Sequence, residues 1–417
     1  MTNPCIDSDL APLVLVDAYS TGAMLARILA AQRPLLHVTS RSDMPDAFAA
    51  SCPQECFQAH YSIQALGIEA LVEQLAAQQP AAVLTGSEFG VELADYLAAR
   101  LGLPGNDPEH SAARRDKSLM AEQVARVGLP VAEQLRTDSP AQAAAWFLAR
   151  ASKPVVVKPL DSAGSDNVFI CHDMTQLQHA VACILGTTNL MMCANQALLL
   201  QEYLEGDEYI INTVSHEGRH WITDAWKSTK TLSADGRKIY DREHLLPADA
   251  EQLDGLIDYV EGVLDALAIA HGPAHTEVIL TANGPRLLET GARVSGLANP
   301  DALQAATGND QVSLTCRKYL TPHALAAVPR RYRLLNHCCT LNLITRRSAP
   351  FDLACVQEQL STLASFHSAR FRFADGRQTT PTIDLNSSPG AVFLLHPSAD
   401  CIHQDHHAWR TWEQDWL

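Results

Sequence analysis

The sequence predicts an α/β protein, and three observations support this fold class. Short apolar runs alternate with helical patterns over the first hundred residues, beginning with LVLVD at 13–17 and LLHVTS at 35–40. This alternation is typical of βα units on a parallel sheet. A second α/β region follows a helical segment at 109–128, and two apolar runs form a predicted hairpin at 276–293. The length of 417 residues is too great for one compact core and indicates roughly two to four domains.

The first region continues with a third apolar run, AAVLTG at 81–86, and the helical pattern SEFGVELADYLAARLG at 87–102. The helical pattern STGAMLARILAAQ at 20–32 follows the first apolar run. The helical segment at 109–128 closes with Gly128, a residue that is common at helix C-termini. We therefore place the exit from the first domain at this segment.

The middle of the chain predicts two further regions. The second region has a buried-type strand in KPVVVK, a helix around 174–185 and strands within LLLQEYLEGDEYIINTVS at 198–215. The tail has strand-like runs at 338–345 and 390–396. In the third region we expect, before the hairpin, a strand near 219–226, a loop at 227–247 and a helix from about 249 to 270.

Composition disfavours several classes of function. The formal net charge of −16 disfavours a nucleic-acid partner, because such binding depends on phosphate neutralisation by Lys and Arg. No apolar run is long enough to span a bilayer, and the segment MTNPCIDSDLAP lacks the features of a secretory signal. Eleven scattered cysteines argue for reduced thiols rather than a disulfide framework. We therefore expect a cytoplasmic protein without nucleic-acid or membrane partners.

Two glutamates in the hairpin are candidate metal ligands. Folding the ribbon about Ala282-Asn283-Gly284 places Glu277 opposite Glu289 and keeps Thr276 and Leu288 off that face. Like charges directly opposite on a sheet are destabilising, and a divalent cation with oxygen ligands is the usual partner that neutralises them. The alternative is a solvated hairpin edge in an acidic chain.

A small polar loop follows the strand that carries Lys158. The loop, at 161–165, has few side chains that obstruct its backbone, so its N–H groups can approach phosphate oxygens while Lys158 supplies a positive charge. The alternative is an ordinary turn with a surface lysine. Further along, QEYLEGDEY at 201–209 offers a strand end for adenine and Glu208 for ribose hydroxyls, against the alternative of a plain strand–turn–strand.

Arg293 lies four residues after Glu289, just beyond the hairpin. A guanidinium at this position can hold a carboxylate or a phosphate in a bidentate clamp beside the metal. A surface ion pair is the alternative, since such pairs are common for any single arginine.

Five motifs occur in an order and spacing that resemble the ATP-grasp superfamily over residues 1 to 310. They are RRDKSLM with Lys117, VVVKP with Lys158, QEYLEGDEY, HTEV and LLETGAR. Within the superfamily, GPAHTEVIL, GPRLLETGARVSG and the tail SSPGAVFLLHPSADCI are similar to the L-amino-acid ligases, the dipeptide synthetases similar to bacilysin synthetase. The resemblance implies an α+β ATP-grasp fold in which a Rossmann-like parallel-sheet domain precedes two α+β subdomains that clasp ATP. The implied divisions are the Rossmann-like domain at 1–113, a lid subdomain at 114–205, a subdomain with the metal hairpin at 206–311 and an accessory subdomain at 312–417.

The resemblance also implies a role for each matching residue. Glu277 and Glu289 would hold Mg²⁺, with Mn²⁺ as an alternative, and Lys158 and Arg293 would be catalytic. The residues implied to contact ATP are Lys117, Lys158, Ser162, Ala163, Gly164, Ser165, Glu202, Tyr203, Leu204 and Glu208. The residues implied to contact the substrate are Arg293, Ser295, Gly296, Leu297 and His244.

The activity implied is an ATP-dependent, ADP-forming ligase that joins two L-amino acids through an aminoacyl phosphate, in the synthesis of small peptide metabolites. One position departs from the superfamily pattern E-x-N-x-R, because Gly291 stands where a further ligand is usual. The alternatives are a ligase with another acyl donor, a bicarbonate-activating enzyme, and an ATP-binding regulatory module without turnover, which Gly291 keeps open. Similar proteins are commonly homodimers, which makes a homodimer a hypothesis for this chain.

Overall fold

The computed structural model describes residues 10–150, 153–232 and 238–416. The segment on which the absence of a secretory signal was judged lies largely outside these residues, as does part of the predicted loop at 227–247. Within the described ranges, none of the helices is both long and apolar enough to cross a membrane.

The N-terminal part of the chain is a parallel sheet covered by helices on both faces. Its elements are β1 Leu13–Val16, α1 Gly22–Ala30, β2 Leu35–Thr39, α2 Asp46–Ala49, β3 Ala59–Ser62, α3 Ile63–Leu66, α4 Ile68–Ala77, β4 Ala82–Thr85 and α5 Val91–Arg100. The strand order is β3-β2-β1-β4. Leu13 and Leu15 pack on one face and Val14 and Val16 on the other, so both faces of β1 are buried, as in parallel sheets generally. The predicted α/β fold class is confirmed here.

A smaller antiparallel sheet lies in the region predicted as the lid subdomain, 114–205. Its elements are α6 Lys117–Arg126, β5 Gln134–Thr137, α7 Pro140–Leu148, β6 Val155–Pro159, β7 Phe169–Cys171, α8 Met174–Ile184 and β8 Leu198–Glu202. The strand order is β5-β8-β6-β7, with α7 and α8 packed on one face. The segment predicted as one helix at 109–128 is in fact two short 3₁₀ turns followed by α6, which begins at Lys117 because the side chain of Asp116 caps Ser118 and Leu119.

The third sheet has eight antiparallel strands, which come from the part of the chain after β8. Its order is β13-β12-β9-β10-β11-β14-β16-β15, so strands of the tail extend the sheet of the preceding region. The elements are β9 Gly206–His216, β10 Arg219–Leu232, β11 Lys238–Leu245, α9 Asp254–Ala266, β12 Gly272–Thr281, β13 Gly284–Gly291, α10 Pro300–Thr307, α11 Gln311–Leu320, β14 His337–Asn342, α12 Leu353–Ser361, β15 Phe366–Phe371, β16 Gly390–His396 and α13 Ala399–Trp416. The division at 312 stays a prediction.

The predicted loop at 227–247 is wrong for the residues that the structure describes. β10 continues to Leu232, and β11 returns from Lys238 to Leu245 as its antiparallel partner. The apolar and polar residues do not alternate regularly here, because this hairpin directs several polar side chains into a cavity and a β-bulge at Thr229/Lys230 shifts its register. Short 3₁₀ helices complete the described structure at Gln54–Cys56, Glu88–Gly90, Pro108–His110, Ala112–Arg114, Glu251–Leu253 and Pro322–Ala327.

A buried arginine joins the N-terminal domain to the large sheet domain. Arg114 is fully buried, and its Nη2 donates to Asp95 Oδ2 of α5 at 2.7 Å and to the carbonyl of Asp107 at 2.6 Å. Its Nη1 donates to the carbonyl of Leu267, just after α9, at 2.7 Å. One side chain therefore satisfies acceptors on both sides of the domain boundary.

Replacing this arginine should destabilise the protein strongly. Arg114→Met keeps an apolar stem but leaves the buried carboxylate of Asp95 without its cation, which costs about 3–5 kcal/mol in comparable cases. Urea denaturation followed by circular dichroism measures this loss. Arg100→Met is the control, because the Arg100–Glu69 pair is exposed, and it should leave the unfolding midpoint unchanged. Equal midpoints for both variants would contradict the proposed role of Arg114.

Candidate active site

A cavity of about 1510 Å³ lies between the lid sheet and the eight-stranded sheet. Sites for one drug-sized ligand usually measure about 300–1,000 Å³, so this cavity has room for more than one small molecule. Of the residues predicted for the site, all but His244 line it. They are Lys117, Lys158, Ser162, Ala163, Gly164, Ser165, Glu202, Tyr203, Leu204, Glu208, Glu277, Glu289, Arg293, Ser295, Gly296 and Leu297.

The carboxylate pair has the predicted register. Glu277 of β12 lies directly opposite Glu289 of β13, and both line the cavity. The turn differs from the prediction, because Thr281 already pairs with Gly284 and a β-bulge after Glu277 makes Leu288 the extra residue. The expectation that Leu288 lies off this face is wrong, since it also lines the cavity.

Lys117 connects the carboxylate pair to the lid. Its Nζ lies 2.7 Å from Glu289 Oε2 and donates to the carbonyl of Ser162 at 2.8 Å. Burial alone would raise the pKa of Glu289, but the charges of Lys117, Lys158 and Arg293 outweigh burial and hold this pKa well below its usual range. The carboxylate is therefore ionised at neutral pH.

Lys158 is a buried cation beside the same pair. Only 7% of its surface is exposed, at the end of β6. Burial and the nearby charge of Lys117 lower the pKa of Lys158 to about 8, although Glu289 and Glu277 oppose the shift. Its ammonium group thus loses its proton more readily than that of an ordinary lysine, and an anion in the cavity would stabilise the charged form.

Glu277 is oriented by a chain of polar contacts in the sheet. His275 Nε2 lies 3.3 Å from Glu277 Oε1, and His275 Nδ1 lies 2.8 Å from Asn212 Oδ1. Asn212 in turn donates to Asp224 of β10. The sequence drew attention to none of these three partners, and the strand pairing alone brings them together.

The two carboxylates fit a divalent cation whose remaining ligands come from phosphate and water. Carboxylate oxygens are the ligands that Mg²⁺ prefers, and it usually takes one or two of them together with substrate phosphates. Among the described residues no group of three or more His, Cys, Asp or Glu side chains is arranged as a metal site. A metal held by protein alone is therefore not supported in these parts of the chain.

The lid loop at 161–165 has an unusual backbone. Gly164 and Ser165 have φ of +66° and +64°, in the left-handed region. The Ser162 hydroxyl donates to Asp166 Oδ2 at 2.7 Å, and Asn189 Nδ2 donates to Asp161 Oδ1 at 2.8 Å. These contacts fix both ends of the loop, and the loop lines the cavity above Lys117 and Lys158.

The strand end predicted to hold adenine borders the same cavity. Glu202, Tyr203 and Leu204 line it where β8 ends, and the Tyr203 N–H donates to the carbonyl of Pro154 at 3.2 Å. Glu208 pairs with Lys230 at 2.7 Å, and its other carboxylate oxygen is buried without a partner. That oxygen is available to a hydroxyl of a ligand.

Arg293 is held by a glutamate from the N-terminal domain. Its Nε donates to Glu88 Oε2 at 2.8 Å, and Arg115 pairs with the other oxygen of Glu88. Burial alone would raise the pKa of Glu88, but the charges of Arg115 and Arg293 outweigh burial and hold it below its usual range. An ionised Glu88 therefore orients Arg293 at the cavity wall.

Gly291 is explained by the same carboxylate. A Cβ atom built on Gly291 would lie 2.8 Å from Glu88 Oε2 and 3.4 Å from the Arg293 guanidinium. The space that a larger side chain would need is filled by Glu88, so the departure from the pattern E-x-N-x-R accompanies a carboxylate supplied from elsewhere in the chain.

The loop after β13 closes the other end of the cavity. Ser295, Gly296 and Leu297 line it, and the Ser295 N–H donates to Gln311 Oε1 at 2.8 Å. His244, predicted to contact substrate, is not part of this lining. Strand alternation turns it to the opposite face of β11, where its Nε2 lies 3.9 Å from Cys339 Sγ. Its neighbour Glu243 faces the cavity instead.

The sequence missed several residues of the cavity wall and of the ion pairs behind it. Glu88, Arg115, Lys230, Tyr240 and Glu243 were not singled out. Three of them lie on the β10–β11 hairpin that was predicted as a loop, where polar residues occur at both sets of alternate positions and give no clear strand signal. The other two depend on contacts across domains, for which the sequence carries no local signal.

Comparison with known proteins places this geometry in context. The ATP-grasp domain family model matches residues 151–301. The chain is 32% identical to dapdiamide A synthase of Enterobacter agglomerans over 397 residues, which cover 94% of this chain and 93% of that protein. It is 23% identical to an L-arginine-specific L-amino acid ligase of Bacillus subtilis over 51% of each chain. The crystal structure of an L-amino acid ligase from Bacillus licheniformis shares the fold, with a TM-score of 0.73 and 18% identity over 96% of this chain and 97% of that one.

The contact between Gly291 and Glu88 predicts non-additive stabilities. Gly291→Ala should cost about 1–3 kcal/mol, because the new methyl group overlaps Glu88 Oε2. In a Glu88→Ala background the same substitution should cost clearly less. Thermal unfolding of the two single variants and the double variant measures the difference. Effects that add to within about 0.5 kcal/mol would show that the two positions do not touch.

Proposed function

Because the chain belongs to the ATP-grasp superfamily of ligases, which form C–N bonds between carboxylates and amines, we propose that it joins two L-amino acids into a dipeptide, with ATP converted to ADP and phosphate. The related dapdiamide A synthase and L-arginine-specific L-amino acid ligase support this choice by their names. The carboxylate–amine ligase activity follows from the family, whereas the two amino-acid substrates are the proposal.

One observation carries the proposal. In a single cavity, two lysines stand beside a pair of glutamates, with Lys117 Nζ 2.7 Å from Glu289 Oε2 and Lys158 buried next to both. The negative charge of the ATP polyphosphate is complementary to the positive charge of these lysines. The proposed role of Glu277 and Glu289 is to hold Mg²⁺, and Mg²⁺ when bound would neutralise phosphate charge.

The remaining residues of the cavity fit the other parts of the nucleotide. The proposed adenine site is the strand end at 202–204, where backbone groups border the cavity. The unpartnered oxygen of Glu208 is the proposed acceptor for a ribose hydroxyl. The loop at 161–165 would cover the phosphates and exclude water, which would otherwise hydrolyse an acyl phosphate.

Arg293 is proposed to bind the reacting carboxylate and its acyl phosphate. A carboxylate is a poor electrophile at neutral pH, and transfer of the γ-phosphoryl group to it creates a good leaving group. The reaction needs alignment and charge stabilisation more than covalent help from the protein. Glu88 fixes the Arg293 guanidinium through Nε at 2.8 Å, and Nη1 donates to the carbonyl of Val294 at 3.3 Å, while the side chain lines the cavity.

The idea of a regulatory module without turnover rested on Gly291. Glu88 fills the space beside Gly291, which accounts for the missing side chain, and the similarity to a synthase over 94% of the chain supports an enzyme rather than a regulatory module. An acyl donor other than an amino acid is the remaining alternative, and an assay of the accepted substrates decides between the two. No specific feature of the cavity favours bicarbonate over a larger carboxylate, and the volume of about 1510 Å³ favours the larger one.

The experiment is an assay with ATP, Mg²⁺ and pooled L-amino acids, followed by assays of single pairs. We expect release of ADP and phosphate only when two amino acids are present, together with a dipeptide detected by mass spectrometry. Hydroxylamine added in place of the second amino acid should trap the acyl phosphate as a hydroxamate. Release of AMP and pyrophosphate, or nucleotide binding without turnover under every pair, would refute the proposal.

Glu289→Gln should abolish turnover and leave the fold intact. The substitution removes a metal-binding charge from a group held ionised by three cations, and losses on the order of 100- to 1,000-fold in kcat are expected for such electrostatic groups. Phosphate release and circular dichroism measure the two effects. Glu217→Gln, on an exposed turn between β9 and β10, is the matched control and should retain full activity. Activity near normal in the Glu289 variant would contradict the metal role.

Nucleotide binding should weaken above about pH 8. Lys158 has a pKa lowered to about 8, so it is protonated below that pH and loses its charge as the pH rises. Because only the protonated form attracts phosphate, the affinity for ATP should fall by up to about tenfold per pH unit above this value. Titration calorimetry between neutral and alkaline pH measures this without involving the attacking amine. In Lys158→Arg, whose charge persists, the decline should disappear, and its persistence there would assign it to another group.

A further inference from the structure

Glu243 lies in a row of polar residues that crosses the large sheet under the cavity. Glu208 of β9 pairs in register with Ser228 of β10, Ser228 pairs with Glu243 of β11, and Glu243 pairs with Thr340 of β14. Laterally paired residues of an antiparallel sheet point to the same face, and all four line the cavity. The row therefore forms a continuous polar floor from the proposed ribose site to the tail of the chain.

This floor contains buried oxygens without partners. Glu243 is 4% exposed, and its Oε1 accepts from Asn342 Nδ2 at 3.3 Å, whereas its Oε2 has no hydrogen-bond partner. The hydroxyl of Ser228 is also buried and unpartnered. Buried polar atoms in folded proteins nearly always have a partner, so each such atom in a cavity indicates a place where a ligand or water binds.

The charges around Glu243 leave it without a cation. It makes no ion pair with any residue that the structure describes, and the ammonium of Lys230 already bonds Glu208. The guanidinium of Arg372 is near enough to feel the charge of Glu243 but donates to the carbonyl of Ser388. Burial, with the charges of Glu208 and Glu277, raises the pKa of Glu243 to about 8. The carboxyl is therefore largely protonated in the empty cavity at neutral pH, and a cation bound beside it would favour its ionised form.

The position of Glu243 relative to the carboxylate pair suits one end of a substrate. Strands β9 and β10 lie between β12 and β11, so three strand spacings of ~4.8 Å, about 14 Å in total, separate the strand of Glu277 from that of Glu243. A phosphoryl group and an amino acid can lie in line over this distance. The far end of the acyl donor would then reach the polar floor.

We propose that Glu243, supported by Asn342 and Ser228, is a specificity-determining residue that binds an ammonium group of the acyl donor. The inference rests on the proposed function for its meaning as a donor site. An ammonium group has three donors, which match the free oxygen of Glu243 and the unpartnered hydroxyl of Ser228. It also supplies the positive charge that the described surroundings lack. The ammonium is either the α-ammonium or one at the end of the donor side chain, and the test separates the two.

Four six-carbon carboxylic acids serve as probes. Hexanoate has no ammonium, L-norleucine has only the α-ammonium, 6-aminohexanoate has only the terminal one, and adipic acid monoamide has a neutral amide in its place. Binding of each acid is measured by titration calorimetry in the presence of ADP and Mg²⁺. Because binding is measured without turnover, it judges this inference separately from the proposed ligase reaction.

In the wild-type protein, at least one ammonium-bearing acid should bind about 10- to 100-fold more tightly than hexanoate, the range expected for a hydrogen bond to a charged group. Norleucine as the preferred probe would identify the α-ammonium, and 6-aminohexanoate the terminal one. Glu243→Gln should remove this preference and leave hexanoate binding unchanged. The matched control, Glu251→Gln on an exposed 3₁₀ turn, should keep it.

Two further measurements complete the test. The affinity for ATP should be unchanged in Glu243→Gln, which shows that the variant is folded. In the hydroxamate assay the variant should raise KM for the preferred donor while kcat is maintained, a split that a general loss of structure would not produce. A wild-type protein without ammonium preference, a preference for the monoamide, or an ammonium preference retained in Glu243→Gln would each overturn the inference. Binding as expected without any turnover would instead refute the proposed function and leave the ammonium site standing.

Discussion

The candidate site depends on holding two carboxylates side by side. Glu277 and Glu289 face each other across β12 and β13, and like charges at this spacing repel. The cations that offset this repulsion come from other elements: Lys117 begins α6, Lys158 ends β6, and Arg293 follows β13. Lys117 lies on α6, which packs into the core of the large sheet through Met120 and Val124, and Arg293 follows β13, so the lid sheet itself contributes Lys158. The acidic pair is therefore offset by cations from both sides of the cavity.

The N-terminal domain takes part in the same electrostatic balance. Glu88, which directly follows the loop after β4, reaches across 205 positions of sequence to Arg293 and is shared with Arg115. A side chain at Gly291 would displace it. The hairpin thus has a glycine at 291 where the Glu88 carboxylate of another domain occupies the space of a side chain. The N-terminal domain, outside the matched family segment, consequently supports the cavity wall indirectly, by holding Arg293.

The sequence predicted the pairing of Glu277 with Glu289, although the turn that leads to this pairing differs from the predicted one. A turn centred on Ala282-Asn283-Gly284 pairs Glu277 with Glu289, and the structure has this pairing. The turn itself is one position tighter, and the bulge at Leu288 restores the register before the carboxylates. The prediction succeeded because the tighter turn and the bulge at Leu288 shift the register by one position in opposite directions and cancel.

The β10–β11 hairpin shows why the rest of the site could not be predicted. Strand patterns are recognised when one face is apolar, because burial in a core selects apolar side chains at every second position. Here the buried face lines a cavity, and its alternate positions on β10 and β11 include Ser228, Lys230 and Glu243. These side chains face the cavity rather than an apolar core, so their pattern resembles that of a solvated loop. The two strands that lack a regular apolar alternation are therefore among those that line the cavity.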